Sequence, residues 1–168
     1  YESTASPDLP PGMASVLLPS VALVFFLYRT IDAKQLSLSW LIGLHTVRIP
    51  VELVLYGLFL EGLVPEIMTF TGWNYDILSG ILALLLLLGL VIKGNLPKQL
   101  IYAWSVVGLG LLAIILVTAI LSIPSPIQHL AFHQPNVGVL KFPFTLLPGV
   151  VVPIVILSHL LILKKLRH

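Results

Sequence analysis

Five residues that could do chemistry as a group lie close together in this chain: His45, Thr46, Arg48, Glu52 and Tyr56. On an α-helix each residue turns about 100° and rises about 1.5 Å. His45 and Glu52 then sit about 20° apart, and Arg48 falls within about 60° of both. Tyr56 returns to the line of His45, so the polar side chains form a stripe about 16 Å long. Arg48 and Glu52 stand at i,i+4, the spacing of an intrahelical ion pair. Pro50 has no N–H, so the carbonyl of Thr46 loses its helical partner and the helix is expected to kink there. That carbonyl becomes an acceptor for Arg48, a water or a ligand. A stripe of this kind could bind a small polar or anionic ligand or relay protons. It could also simply fix helix packing as a buried network.

The surroundings of the stripe set its energetics. Of 168 residues, 58% are hydrophobic and 10% are charged. A soluble domain carries about 25% charged residues. Sixteen charged side chains cannot cover a water-facing surface of this size. The chain is read as an integral membrane protein whose first partner is the lipid bilayer. Nine basic residues scattered over an apolar chain exclude a nucleic-acid-binding module. The absence of cysteine excludes a disulfide scaffold. In hydrocarbon a central Arg costs about 2.5–3.5 kcal/mol, so the stripe must face the bundle interior or a wet cavity.

Five continuously apolar segments supply that interior: about 13–28, 36–60, 75–92, 99–123 and 139–163. The expected fold is all-α, a polytopic transmembrane bundle of five helices. Residues 1–12 form a polar, Pro-rich extended tail, and 13–168 form a single transmembrane domain. The first segment is read as a spanning helix rather than a cleaved signal, because no small-residue cleavage site follows it. Basic residues set the orientation. Arg29, Lys34, Lys93, Lys98, Lys164, Lys165 and Arg167 fall on one side, and Lys141 alone on the other. The N-terminus is therefore expected outside and the C-terminus in the cytoplasm. The long outer loops, 61–74 and 124–138, carry Met68, Phe70 and Trp73, and a short interfacial helix is expected around Ile127 to Phe132. Glu61, Glu66 and Asp76 are read as outer-loop acids. The third segment, nearly all leucine from Ile81 to Leu90, is expected to be the most lipid-exposed helix.

Other groups in the chain could also do chemistry. A b-type haem needs two histidines facing each other across a bundle. Depth arithmetic places His45 about 13 Å and His159 about 6 Å below the inner face, which argues against haem as a cofactor. His159 is then an interfacial histidine among the terminal lysines. His129 and His133 stand at i,i+4, a spacing that binds metal on a helix, but two ligands do not make a site. Pro143, Pro148 and Pro153 should bend or break the fifth helix, each releasing a carbonyl four residues back. Gly108, Gly110 and Ala113 allow close helix approach. Ser105, Thr118 and Ser122 are read as hydrogen bonders within or between helices. No nucleophile–base spacing, phosphate loop or dinucleotide fingerprint marks an enzyme.

At HTVRIPVELVLYGLFLEGLVPEIMTF, NYDILSG and QPNVGVLKFPFTLLPG the chain resembles a family of small, uncharacterised bacterial multi-spanning membrane proteins. The resemblance runs from the second helix to the C-terminus. It implies a place in the bacterial inner membrane, with the second helix and both outer loops as the shared signature, but no activity. The leading expectation is a non-enzymatic membrane protein with a ligand or proton site at Arg48 and Glu52. The alternatives are a structural subunit completed by other membrane subunits or by its own copies, and a haem-binding electron-transfer subunit.

Overall fold

A computed structural model describes residues 11–167, and all regular structure among them is helical. Among the described residues the chain makes five helical segments. They are α1 (Pro11–Thr30), a composite of α2 (Leu38–Gly43), a 3-10 turn (Leu44–Val47) and α3 (Arg48–Leu60), α4 (Asp76–Lys93), α5 (Lys98–Leu121), and a π-turn (Leu147–Val151) leading into α6 (Val152–Leu166). Four of them, Leu38–Leu60, Asp76–Lys93, Lys98–Leu121 and Leu147–Leu166, are long and apolar enough to cross a membrane. Most of the expected polar tail lies outside the described residues, and Pro11 and Gly12 belong to α1 rather than to the tail.

The kink at Pro50 takes a defined form. With no N–H at Pro50 the chain tightens just upstream into the 3-10 turn, where Thr46 Oγ1 donates to the Gly43 carbonyl at 2.8 Å. A 3-10 helix has three residues per turn, so side chains three apart eclipse. His45 and Arg48 are thereby brought into one line instead of splaying by about 60° as in an α-helix.

The fifth helix begins later than expected. Residues 138–140 form a 3-10 turn, Pro143 lies in the turn that follows, and regular α-helix starts only at Val152. Pro148 and Pro153 sit at the starts of the π-turn and of α6, where a missing N–H does least harm. Pro153 still leaves the Gly149 carbonyl without its helical donor, and Ser20 of α1 donates to it at 2.7 Å. Lys164 fastens the other end of α1 by donating to the Tyr28 and Ile31 carbonyls, both at 2.9 Å.

Two expectations about packing need correction. The α4 helix is central, not peripheral. Asp76, Ser79, Gly80, Ala83 and Leu86 recur at helical spacing and are buried against α2, α3 and α5, while Leu82, Leu84, Leu85 and Leu88 point outward. Its small residues are what let neighbours approach; a Cβ on Gly80 would lie 3.1 Å from the Arg48 Cβ. On α5 only Gly108 serves close approach, since Gly110 and Ala113 face outward. The more exposed segment is α1, with Leu18, Val21, Phe25 and Phe26 all more than half exposed.

The two long loops fold over one end of the bundle as a cap. Val64 and Met68 are buried in a small core with Leu58 and Val139. Gln134 Nε2 donates to the Phe59 and Val64 carbonyls at 3.0 and 2.6 Å, and the Val137 and Gly138 N–H groups donate to the Leu63 carbonyl. The short helix expected at 127–132 is absent: this stretch is turns and bends, with Ala131 in the left-handed region.

Candidate functional site

The cluster is built around Arg48, which projects from α3 into the bundle and is 2% exposed. Nη1 donates to Asp76 Oδ1 at 2.9 Å, the only ion pair among the described residues. Both Nη atoms lie 3.4 Å from the Gly108 carbonyl, and Nη2 is 3.0 Å from His159 Nε2. One guanidinium thus joins α3 to α4, α5 and α6. Asp76 sits in the first turn of α4, where the helix dipole favours an acid.

The tautomer of His159 follows from these contacts. A guanidinium only donates, so Nε2 must accept and the proton resides on Nδ1. Nδ1 lies 2.9 Å from Ser105 Oγ, which accepts from it. The His45 ring stacks on His159 with centroids 3.9 Å apart and meets the edge of Trp104 at 4.9 Å. No protein group pairs with either His45 nitrogen. Gly108 makes this stacking layer fit: a Cβ there would sit 2.6 Å from His159 Nε2 and 2.9 Å from Ser79 Oγ.

Glu52 does not pair with Arg48, contrary to the i,i+4 expectation. Both side chains project inward rather than along the helix surface, and each finds a partner at the start of α4. Asn74 Nδ2 donates to Glu52 Oε1 at 2.6 Å and to the Met68 carbonyl at 3.0 Å, while its Oδ1 accepts from the Asp76 N–H. Asn74 therefore takes the first N–H of α4 and holds Glu52 at once. Glu52 Oε2 is buried and has no partner. Glu52 and Asp76 line a cavity of about 80 Å³ whose other walls are apolar, among them Leu55, Leu112, Ile115 and Val152.

The structure thus brings His45, Arg48 and Glu52 together and leaves out two members of the stripe. Tyr56 packs on Phe70 at 4.9 Å near the cap, and Thr46 bonds only within its own turn. Sequence reasoning missed Asn74 and Asp76 as partners and misplaced His159, whereas Ser105 does bond between helices, as expected of it. The depth mismatch of the two histidines arose from helix ends set too early. With α2 starting at Leu38 and α6 ending at Leu166, His45 and His159 each lie seven residues from the same end of the bundle. Asp76 was read as an outer-loop acid, yet it is 5% exposed. The signal was available in Asn74-Tyr-Asp76, an Asn beside a helix start and a first-turn acid opening an apolar run.

The alternative ligand sets do not assemble. The His45 and His159 rings lie tilted against each other with centroids 3.9 Å apart, which leaves no room for a haem iron between them. His129 Nδ1 pairs with the Ile127 carbonyl in a non-helical segment, so the i,i+4 geometry with His133 is not formed. No group of three metal-ligating side chains occurs among the described residues.

Comparison with known proteins gives a family but no activity. No curated protein and no solved structure matches the chain. One family does, and over more of the chain than the resemblance from the second helix onward had suggested, with α1 included. Across residues 7–167 the chain belongs to the family described as a domain of unknown function, DUF8737.

Proposed function

We propose that this protein is a non-enzymatic, multi-pass membrane protein that binds a small cationic hydrogen-bond donor at the Glu52–Asp76 end of its cavity. Glu52 Oε2 carries the proposal: it is a buried, unpartnered carboxyl oxygen on a residue that lines an otherwise apolar cavity. Charge counting points the same way. One guanidinium faces two carboxyl groups, so with both ionised the cluster holds one uncompensated negative charge, which is costly in hydrocarbon. A cation in the cavity, or a proton on Glu52, removes that charge.

The other readings fit less well. An anionic ligand would need donors on the cavity wall, but neither Arg48 nor His45 lines the cavity, and of the Arg48 donors only Nε lacks an acceptor. A continuous proton path would have to pass through Arg48, whose guanidinium does not release a proton. The Ser105–His159 pair resembles a nucleophile and base. However, a hydrolytic triad needs a carboxylate at the far imidazole nitrogen, and here a guanidinium stands there. A purely structural role fits Arg48 and leaves Glu52 Oε2 unexplained.

The same reading puts the protein in the bacterial inner membrane with its N-terminus outside, supported by the seven basic residues on one side. Thr71 and Lys98 are both exposed, so single cysteines there should react with an impermeant reagent from opposite sides. Labelling from one side would remove this topology. Thermal unfolding in neutral detergent tests the ligand class. Propylammonium should raise the midpoint of the wild type and leave that of Glu52→Leu unchanged, while propionate moves neither. An equal rise in Glu52→Leu, or a response to propionate instead, would overturn the proposal.

A further inference from the structure

A second cavity, of about 160 Å³, lies between α1 and α6 and shares Leu17, Leu116, Pro148 and Val152 with the cavity at Glu52. The two make one groove, and its walls beyond Glu52 and Asp76 are almost wholly apolar. The one hydroxyl along the second part, Ser20, donates to the Gly149 carbonyl. The groove exists because α1 is fastened to α6 and the π-turn, at Ser20–Gly149 and again at Lys164, and so packs along them.

Access to Glu52 is decided by what closes the groove. Toward the loops it is shut by Met68 and Val139, which belong to the cap core, and the cap is stitched by Gln134 and by the Leu63 carbonyl. The remaining walls belong to helices whose outer faces are strongly apolar. Resting on the donor-binding reading above, we infer that the guest is a long-chain primary ammonium amphiphile that reaches Glu52 sideways from the bilayer. Its ammonium group donates to Glu52 Oε2, and its chain lies in the groove along α1. The match is of chemistry: one polar end with spare acceptor capacity and negative charge, and one extended apolar run.

Native mass spectrometry from neutral detergent can test the two ends separately. Dodecylammonium, butylammonium and dodecanoate would be compared on wild type, Glu52→Gln and Val24→Trp. Val24 lines only the part of the groove remote from Glu52, so tryptophan there fills the chain path. Dodecylammonium should bind wild type at least about tenfold tighter than butylammonium, because its extra methylenes are buried. Val24→Trp should abolish that advantage, and Glu52→Gln should weaken both ammonium ligands about tenfold. Ile156→Trp, on the opposite wall, should reproduce Val24→Trp and guards against a folding defect in either variant. Equal affinity for the two ammonium ligands, or dodecylammonium binding untouched by both tryptophans, would overturn the amphiphile while leaving the donor site standing. Dodecanoate binding as well as dodecylammonium, in wild type and Glu52→Gln alike, would overturn both.

Discussion

Arg48 and Glu52 stand one turn apart on the buried face of α3, and their surroundings differ in kind. Around Arg48 the bundle supplies an acceptor for every Nη hydrogen, drawn from three other helices, and leaves only Nε unpaired. Around Glu52 it supplies one donor, Asn74, and leaves the second oxygen buried without a partner, on a residue that lines a cavity. Two ionisable residues in one apolar interior can therefore do different work. A charge tied to three other helices at once is a fastening. A charge with a vacant position beside a cavity is a place to bind something.

The sharpest way to break this contrast is to remove the fastening. Arg48→Leu leaves Asp76 buried without its partner, and breaking a buried pair in this way costs about 3–5 kcal/mol. A large drop in melting temperature is expected, with most of it recovered in the Arg48→Leu/Asp76→Leu double variant. A small drop would mean that Arg48 is not the structural centre. Gly108→Ala comes next. Its methyl group would be driven against His159 and Ser79, and overpacking of this kind costs about 1–3 kcal/mol. Gly110→Ala, on the outward face of the same helix, should leave the melting temperature unchanged. Gln134→Ala removes two hydrogen bonds of the cap, for a loss of about 1 kcal/mol measurable in the same assay. The smallest stability effect is expected for Glu52→Gln, within about 0.5 kcal/mol, because its shape and one acceptor oxygen remain. Its effect should appear in ligand response instead.

The sequence disclosed these two regions unequally. Hydropathy located four of the five segments within a few residues, because each is a long apolar run. It failed at the fifth, where three prolines spaced five apart delay the helix to Val152. The polar stripe was legible because His45, Arg48 and Glu52 share a face. Their partners were not, since partnership across helices depends on relative depth, and an error of two or three residues in a helix end shifts depth by several ångströms. His159 was misplaced for that reason. Asp76 was misread because an acid beside a helix start looks the same whether the loop before it faces water or folds inward. Helix α4 was misjudged by weighing its leucines and overlooking Ser79, Gly80 and Ala83, whose smallness makes the contact.

The most direct measurement of the contrast is a pair of double-mutant cycles on thermal stability, using leucine replacements for Arg48 with Asp76 and for Arg48 with Glu52. Contacting residues in one network couple by about 0.5–3 kcal/mol. The expected result is coupling near the top of that range for Arg48 with Asp76 and below about 1 kcal/mol for Arg48 with Glu52. Stronger coupling of Arg48 to Glu52 than to Asp76 would contradict the account: Glu52 would then belong to the fastening and would not be free to bind a ligand.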